Sequence, residues 1–294
     1  MLEYIGIDLG GTNIRVGAMD ENENIIFEYK EPTFNGVSSA DELYNKIVNM
    51  IKKVPNYKDA KGIGIGVPGS VDLNSKRIVT CRNISIFKDY PLKEKLSKEF
   101  NKNIYIENDA KVACLAEAIA GIGKDKNIVC YITVSTGLGG GVAINKNIYH
   151  GFSNLGGYLS RVILDGKNTS DSLISGTAIC KKAKEKIDSN IETTKEVFEL
   201  YKNGDEMAKE IVEEFKHNLM ILLLNISAMI NPDIIVFGGG VMKSKEYFLE
   251  DVKEAFIKNA HPLAQNTIID IAKFDEPGII GACLLAKSNN LQNS

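Results

Sequence analysis

The chain lacks any apolar run approaching the roughly 18 residues that a membrane-spanning helix needs. Its longest candidate, Leu219 to Ile230, is interrupted by Asn225 and Ser227 and reads as a buried helix. A secretory leader is also missing, because a short apolar strand begins at once and charged residues follow quickly. The five cysteines, Cys81, Cys114, Cys130, Cys180 and Cys283, form no close pair and are odd in number. That speaks against a disulfide framework and predicts a reduced, cytoplasmic protein. Charge of one sign is not in excess: the net charge is -3, with both signs mixed along the chain. A general nucleic-acid binder would need a basic face to neutralise phosphates, so that class is disfavoured, although a small basic pocket is not. No low-complexity linker divides the sequence.

What is present is the balance of a globular protein, 44% apolar and 25% charged over 294 residues. That length predicts about two domains. Tyr4-Ile5-Gly6-Ile7 is a short apolar run ending at Asp8 and a glycine pair, hence a strand and a tight turn. Residues 13–19 alternate and 25–29 resume a strand, so the chain opens as a β-meander. Ser38 to Asp41 caps a helix to about Lys53. Strands follow at 62–67 and 104–106, then a helix from Ala110 to about Gly121. Ile128 to Val134 restarts the pattern, with a turn at Ser135-Thr136-Gly137-Leu138-Gly139-Gly140-Gly141 and a strand at 142–144. Strand, Gly-rich turn and strand thus occur twice, which predicts an internally duplicated fold. Helices are expected at 173–188, 194–202, 204–230, 244–259 and 278–288, and strands at 233–237 and 267–272.

Three Gly-rich turns each follow an apolar strand: Gly10-Gly11, Gly137 with Gly139 to Gly141, and Gly238-Gly239-Gly240. Glycine lets backbone N–H groups approach a phosphate closely. Thr12 and Thr136 can add a hydroxyl, and Asp8 at the strand tip can hold Mg²⁺ directly or through water. None of these turns is a Walker loop or a dinucleotide fingerprint opening a helix. Gly62, Gly64 and Gly66 lie inside a strand, where they permit close packing. Asp109 ends a strand and precedes a helix, so it is either a base facing a cleft or the N-cap of that helix. Phosphoryl transfer asks mainly for positioning, charge neutralisation and a carboxylate to accept the hydroxyl proton.

Taken in order, these segments resemble the ROK family of repressors and sugar kinases, within the actin–hexokinase–Hsp70 ATPase fold. The resemblance covers nearly the whole chain. Asp8-Leu9-Gly10-Gly11-Thr12-Asn13 resembles the first phosphate motif, and Gly66-Val67-Pro68-Gly69 the sugar-proximal loop. Glu107-Asn108-Asp109-Ala110 resembles the catalytic segment, in which the Asp is the base and the Asn binds a sugar hydroxyl. Ser135 to Gly141 resembles the second phosphate motif, with Ser135 where glycine is usual, and Pro232 to Gly240 the adenosine segment. The resemblance implies an α/β, two-lobed, ribonuclease H-like fold with a duplicated βββαβα core. It places residues 1–109 plus 278–294 in a smaller lobe and 110–277 in a larger one. It implies ATP and Mg²⁺ as cofactors, a sugar as substrate, neither membrane nor nucleic acid as partner, and a homodimer as a recurrent family arrangement.

The chain departs from the family where a Gly-Glu-x-Gly-His segment should lie. Here it reads Gly157-Tyr158-Leu159-Ser160-Arg161, and the following loop has no cysteine. A closed zinc site needs about four ligands, and His150, His217 and His261 do not cluster in sequence, so no structural zinc is expected. Two readings follow. Either the sugar is recognised differently, with Tyr158 stacking or donating its hydroxyl, or sugar binding is lost and a silent sugar or nucleotide sensor remains. Asp109 and both phosphate turns favour the first. The family phosphorylates the 6-hydroxyl of hexoses and N-acetylhexosamines, and zinc-less members resemble N-acetylmannosamine kinases. Glucokinase, N-acetylglucosamine kinase and β-glucoside kinase are the alternatives. Asp8 leaves no room for a preceding helix-turn-helix, so a repressor is not expected. By resemblance, Gly69, Asn83, Asn108 and Asn154 orient the sugar beside Asp109, and Gly238 to Gly240 pack near the adenosine.

Overall fold

The computed structural model describes residues 1–81 and 83–292. The chain divides into two compact units, Met1–Lys124 with Lys146–Gly156 and Glu276–Ser294, and Asp125–Asn145 with Gly157–Asp275. Of the expected C-terminal segment 278–294, Asn293 and Ser294 lie outside the described residues.

In the first unit the opening meander is β1 (Leu2–Leu9), β2 (Asn13–Asp20) and β3 (Ile25–Pro32). Helix α1 (Ala40–Lys52) is set by a capping box in which Ser39 and Glu42 satisfy each other's backbone N–H groups. Then come β4 (Gly62–Val67), the short β5 (Ser70–Val71) and β6 (Ile78–Thr80), α2 (Leu92–Phe100), β7 (Asn103–Asn108) and α3 (Asp109–Ile119). The sheet order is β3-β2-β1-β4-β7. β1 pairs antiparallel with β2, while β1, β4 and β7 run parallel. The parallel strands are buried on both faces, so β4 reads as an uninterrupted Gly/Ile/Val run rather than an alternation.

The second unit repeats the plan. β8 (Ile128–Val134) and β9 (Leu138–Ile144) are antiparallel, and the chain then returns to the first unit, where β10 (Asn147–Ile148) lies. α4 (Ser170–Ile174), α5 (Gly176–Lys186), α6 (Thr194–Lys202) and α7 (Glu206–Met229) follow. β11 (Ile234–Gly238), α8 (Leu249–Asn259) and β12 (Ile268–Ile271) complete it, with β8, β11 and β12 parallel. The order β9-β8-β11-β12 thus matches β2-β1-β4-β7, which is the duplication expected from the two turns. The helix expected at 173–188 is two helices, because Ser175 adopts extended backbone and caps α5. The segment expected as one helix from 244 instead divides between a 3-10 stretch, Gly240–Tyr247, and α8.

The last helix, α9 (Gly278–Gln292), goes back to the first unit and packs on β1, β4 and α3. The division expected at residue 109 therefore falls later, after Lys124. Val112 and Leu115 of α3 share one apolar cluster with Tyr4, Met19 and the α9 residues Ile279, Cys283 and Leu285, so α3 stays with the first sheet. A larger cluster fills the first unit on β1, β4, β7 and α1, and another fills the second on β8, β11, α7 and α8.

Candidate active site

Asp8, Gly69 and Asn108 of the first unit stand at the C-terminal ends of parallel strands, where ligands of open α/β sheets bind. Asp8 closes β1, the Pro68-Gly69 loop follows β4, and Asn108 closes β7. The register sets Asp8 beside Gly66 and Gly66 beside Glu107.

The first glycine turn is braced. Gly10 N–H donates to the Asn13 carbonyl at 2.9 Å. Thr33, fully buried, donates its N–H to the Thr12 carbonyl at 2.8 Å and its hydroxyl to the Gly10 carbonyl at 2.6 Å. The Gly10 and Thr12 carbonyls are thereby occupied, and Thr12 remains exposed. Asn83 lies against this turn: a Cβ on Gly11 would come 2.7 Å from the Asn83 Cβ. Asp8 is crowded by Gly278 at the start of α9. Burial pushes its carboxyl above the usual range, the Arg15 charge opposes this, and Glu28 adds to it. Arg15 in turn forms an ion pair with Glu276.

Asn108 joins β7 to α3 in the Glu107–Ala110 segment. Its Oδ1 accepts from the N–H groups of Ala110 (3.1 Å) and Lys111 (3.2 Å), so Asn108, not Asp109, is the N-cap of α3. Its Nδ2 donates to the Gly69 carbonyl at 2.9 Å and to Asp109 Oδ1 at 3.0 Å. Asp109 is thus released from capping and oriented by its neighbour. Protein crowds its carboxyl, and that burial pushes its pKa up to about 7, reinforced by the negative charge of Asp8 and opposed by hydrogen bonds from Ala110 N–H and Asn108. A carboxylate poised near neutral pH is what general-base work requires. Cys81, half-buried, feels the Asp109 charge, and burial raises its thiol.

Glu107 and Asn154 lie deeper. Glu107 is 3% exposed, and its Oε1 accepts from Asn108 N–H at 2.7 Å. Its Oε2 shares a 2.8 Å hydrogen bond with His150 Nε2. Burial alone would raise this carboxyl, but His150, the Asn108 N–H, the Lys111 charge and Asn154 together hold it below the usual value. Asn154 is buried, with both amide donors engaged inside the unit.

In the second unit, the Ser135–Gly137 turn is held by Ser135 N–H to the Gly137 carbonyl at 2.9 Å. Gly176 and Thr177, opening α5, donate to the Ser135 and Thr136 carbonyls, and the Thr177 hydroxyl adds 2.7 Å to Thr136. Asp171 Oδ1 accepts from Leu138 N–H at 2.8 Å. Gly238 sits against Tyr131 and the left-handed Gly239 against the Val134 carbonyl, so both stand beside the end of β8, which leads into the Ser135–Gly137 turn. Gly139 and Gly140 belong to β9, where Leu159 leaves no room for a side chain at Gly140. Tyr158 is half-buried and Arg161 is exposed at either end of a short 3-10 turn.

Lys111, His150, Thr33 and Asp171 were not marked by motif reading. Lys111 alone carries a signal: it is the one charged residue from Ala110 to Leu115 of α3, three residues after the cap.

A model of the ROK family matches residues 4–289. A glucokinase of Halalkalibacterium halodurans is 28% identical over 313 residues, spanning 97% of this chain and 94% of its own length. An N-acetyl-D-glucosamine kinase of Histophilus somni is 28% identical, spanning 98% of this chain and all of its own. The crystal structure of a ROK hexokinase from Thermus thermophilus matches with a TM-score of 0.86 at 26% identity, covering 100% of both chains.

Proposed function

The chain belongs to the ROK family, and we propose that it transfers the γ-phosphoryl group of ATP to the 6-hydroxyl of a hexose or N-acetylhexosamine. The observation that carries this reading is Asp109: a carboxyl at the end of β7, oriented by Asn108 and with its pKa pushed to about 7. In the reaction the sugar 6-oxygen bonds to the γ-phosphorus as the bond from that phosphorus to the β–γ bridging oxygen breaks, ADP leaves, and Asp109 accepts the hydroxyl proton. We assign the exposed Thr12 with Gly10, Gly11 and Asn13, and in the second unit Thr136, Gly137 and Gly238 to Gly240, to the nucleotide. Asp8 fits Mg²⁺, an ion commonly held by one or two carboxylates together with substrate phosphates; when bound, it neutralises phosphate charge. Gly69 and Asn108 lie next to the base, which suits them to the acceptor, and Tyr158 and Arg161 replace the family's usual Glu and His.

On those two replacements we place N-acetylmannosamine first among acceptors. Glucose is the second reading, supported by the name of the Halalkalibacterium relative. A coupled ADP-release assay with glucose, mannose, N-acetylglucosamine, N-acetylmannosamine and a β-glucoside decides between them. The highest kcat/KM is expected on N-acetylmannosamine, and a higher value on glucose reverses the order. ATP binding without turnover on any sugar replaces the enzyme reading with that of a sensor.

A further inference from the structure

Lys111 is fully buried on α3, two residues past Asp109. A buried ammonium is costly unless it is paired and hydrogen-bonded. Burial pushes its pKa down, while the charge of Glu107 holds it up. Its Nζ donates to Asn154 twice, to the carbonyl at 2.9 Å and to Oδ1 at 2.7 Å. Asn154 has left-handed backbone, with φ of 65°. Its Nδ2 donates to the Val71 carbonyl at 2.9 Å and to Glu107 Oε1 at 3.0 Å. The same Glu107 oxygen receives the Asn108 N–H, and its other oxygen meets His150.

One residue thereby joins three pieces of backbone: the 146–156 return segment, the strand that follows Gly69, and the end of β7 that carries Asn108. Packing alone does not require a cation here, since an apolar side chain of similar size often serves a core as well or better. What the ammonium adds is direction, because it fixes the Asn154 side chain with Nδ2 turned to Val71 and Glu107. Both Nδ2 donors of Asn154 are spent on this network. We infer that Lys111 is a positioning residue for acceptor recognition: through Asn154 it sets the return segment, the Gly69–Val71 strand and the Glu107–Asn108 pair in one register.

The inference rests on the sugar-kinase reading, so its test has two arms. In full-length Lys111→Met, KM for the accepted sugar should rise on the order of 10- to 100-fold, as expected when a group is misplaced by about an ångström. KM for ATP should stay within about twofold, because the nucleotide contacts assigned here lie elsewhere. Asn154→Ala should give the same sugar KM effect, and the double variant should be no worse than the worse single one, the sign of one shared pathway. Lys111→Arg, which keeps charge and donors, should recover much of the loss. Unchanged sugar KM in folded Lys111→Met, or losses that multiply in the double variant, overturns the inference. Should Lys111→Met not fold, the Asn154→Ala and Lys111→Arg results decide by the same criteria. In the second arm, hydrogen exchange of residues 149–156 should quicken in Lys111→Met, and unchanged protection overturns the clamp even if the wild-type protein phosphorylates no sugar. Absence of turnover in the wild type would instead count against the kinase reading itself.

Discussion

Asp109→Asn is expected to cut kcat by about 10²-fold or more and, at pH 8, to melt at a higher temperature than the wild type. The two effects share one cause. The Asp109 carboxyl has its pKa raised to about 7 in the folded protein from 3.8, chiefly by burial. The folded state therefore binds the proton more tightly than the unfolded chain does. Stability then falls as pH rises from about 4 through about 7, and above about 7 the full cost of the buried charge is present. Asparagine carries no charge and avoids this cost. Part of Asp109 still reaches water, so the gain is of the order of 2 kcal/mol, or roughly 5 °C in Tm. The Tm difference should be much smaller at pH 4, where the folded wild-type carboxyl is protonated and the unfolded one is close to its own pKa of 3.8. The same titration predicts that wild-type kcat/KM falls about tenfold per pH unit below about 7, as the base is protonated. Calorimetry at pH 4 and 8 together with initial rates checks both. Full activity of the variant would remove Asp109 from the role of base, and equal Tm at pH 8 would show that its carboxyl is not buried at a cost.

Gly64→Ala is expected to destabilise the first unit by about 3 kcal/mol or more, a drop in Tm of roughly 10 °C. A Cβ at Gly64 would overlap the carbonyl oxygen of Ala282 on α9 and touch the Ala286 nitrogen. Both obstacles are helix backbone, which cannot rotate aside as a side chain can. β4 and α9 would have to part, opening the apolar contact that ties α9 to the sheet. Gly62→Ala is the control: its nearest neighbour is the Asn103 carbonyl at 3.4 Å, and it should cost far less. Similar Tm values for the two variants in a thermal melt would show that α9 can retreat freely.

That contrast marks how much was legible in the sequence. The three glycines of β4 read alike as residues for close packing, yet only at Gly64 would a Cβ overlap the backbone of α9; which glycine is indispensable depends on the register of that helix, a partner more than 200 residues away. The duplicated strand–turn–strand plan was visible because its signals are local: apolar runs, glycine pairs and the spacing between them. The seam at Lys124 was not, because nothing in Ala110 to Leu115 says which sheet α3 covers. Within the candidate site, strand ends and turns placed Asp8, Asn108 and Asp109 from sequence alone. The cap was assigned to the wrong member of the Asn108-Asp109 pair as one of two open readings, since both residue types cap well and only geometry separates them. Lys111, Glu107, His150 and Asn154 meet through hydrogen bonds spanning up to 47 positions, and no motif encodes such a meeting.

The return of α9 to β1 and β4 has a consequence for biosynthesis. The helix that covers the opening sheet is made only after the second unit has been synthesised. At about 5–20 residues per second, translating the roughly 170 residues between β7 and α9 takes on the order of 10–30 s. During that interval the apolar face of β1 and β4 has no permanent cover, and a nascent chain stalled before Gly278 would keep it open. The opening sheet is therefore completed late, and a product truncated before Gly278 would present its uncovered face to a chaperone or protease.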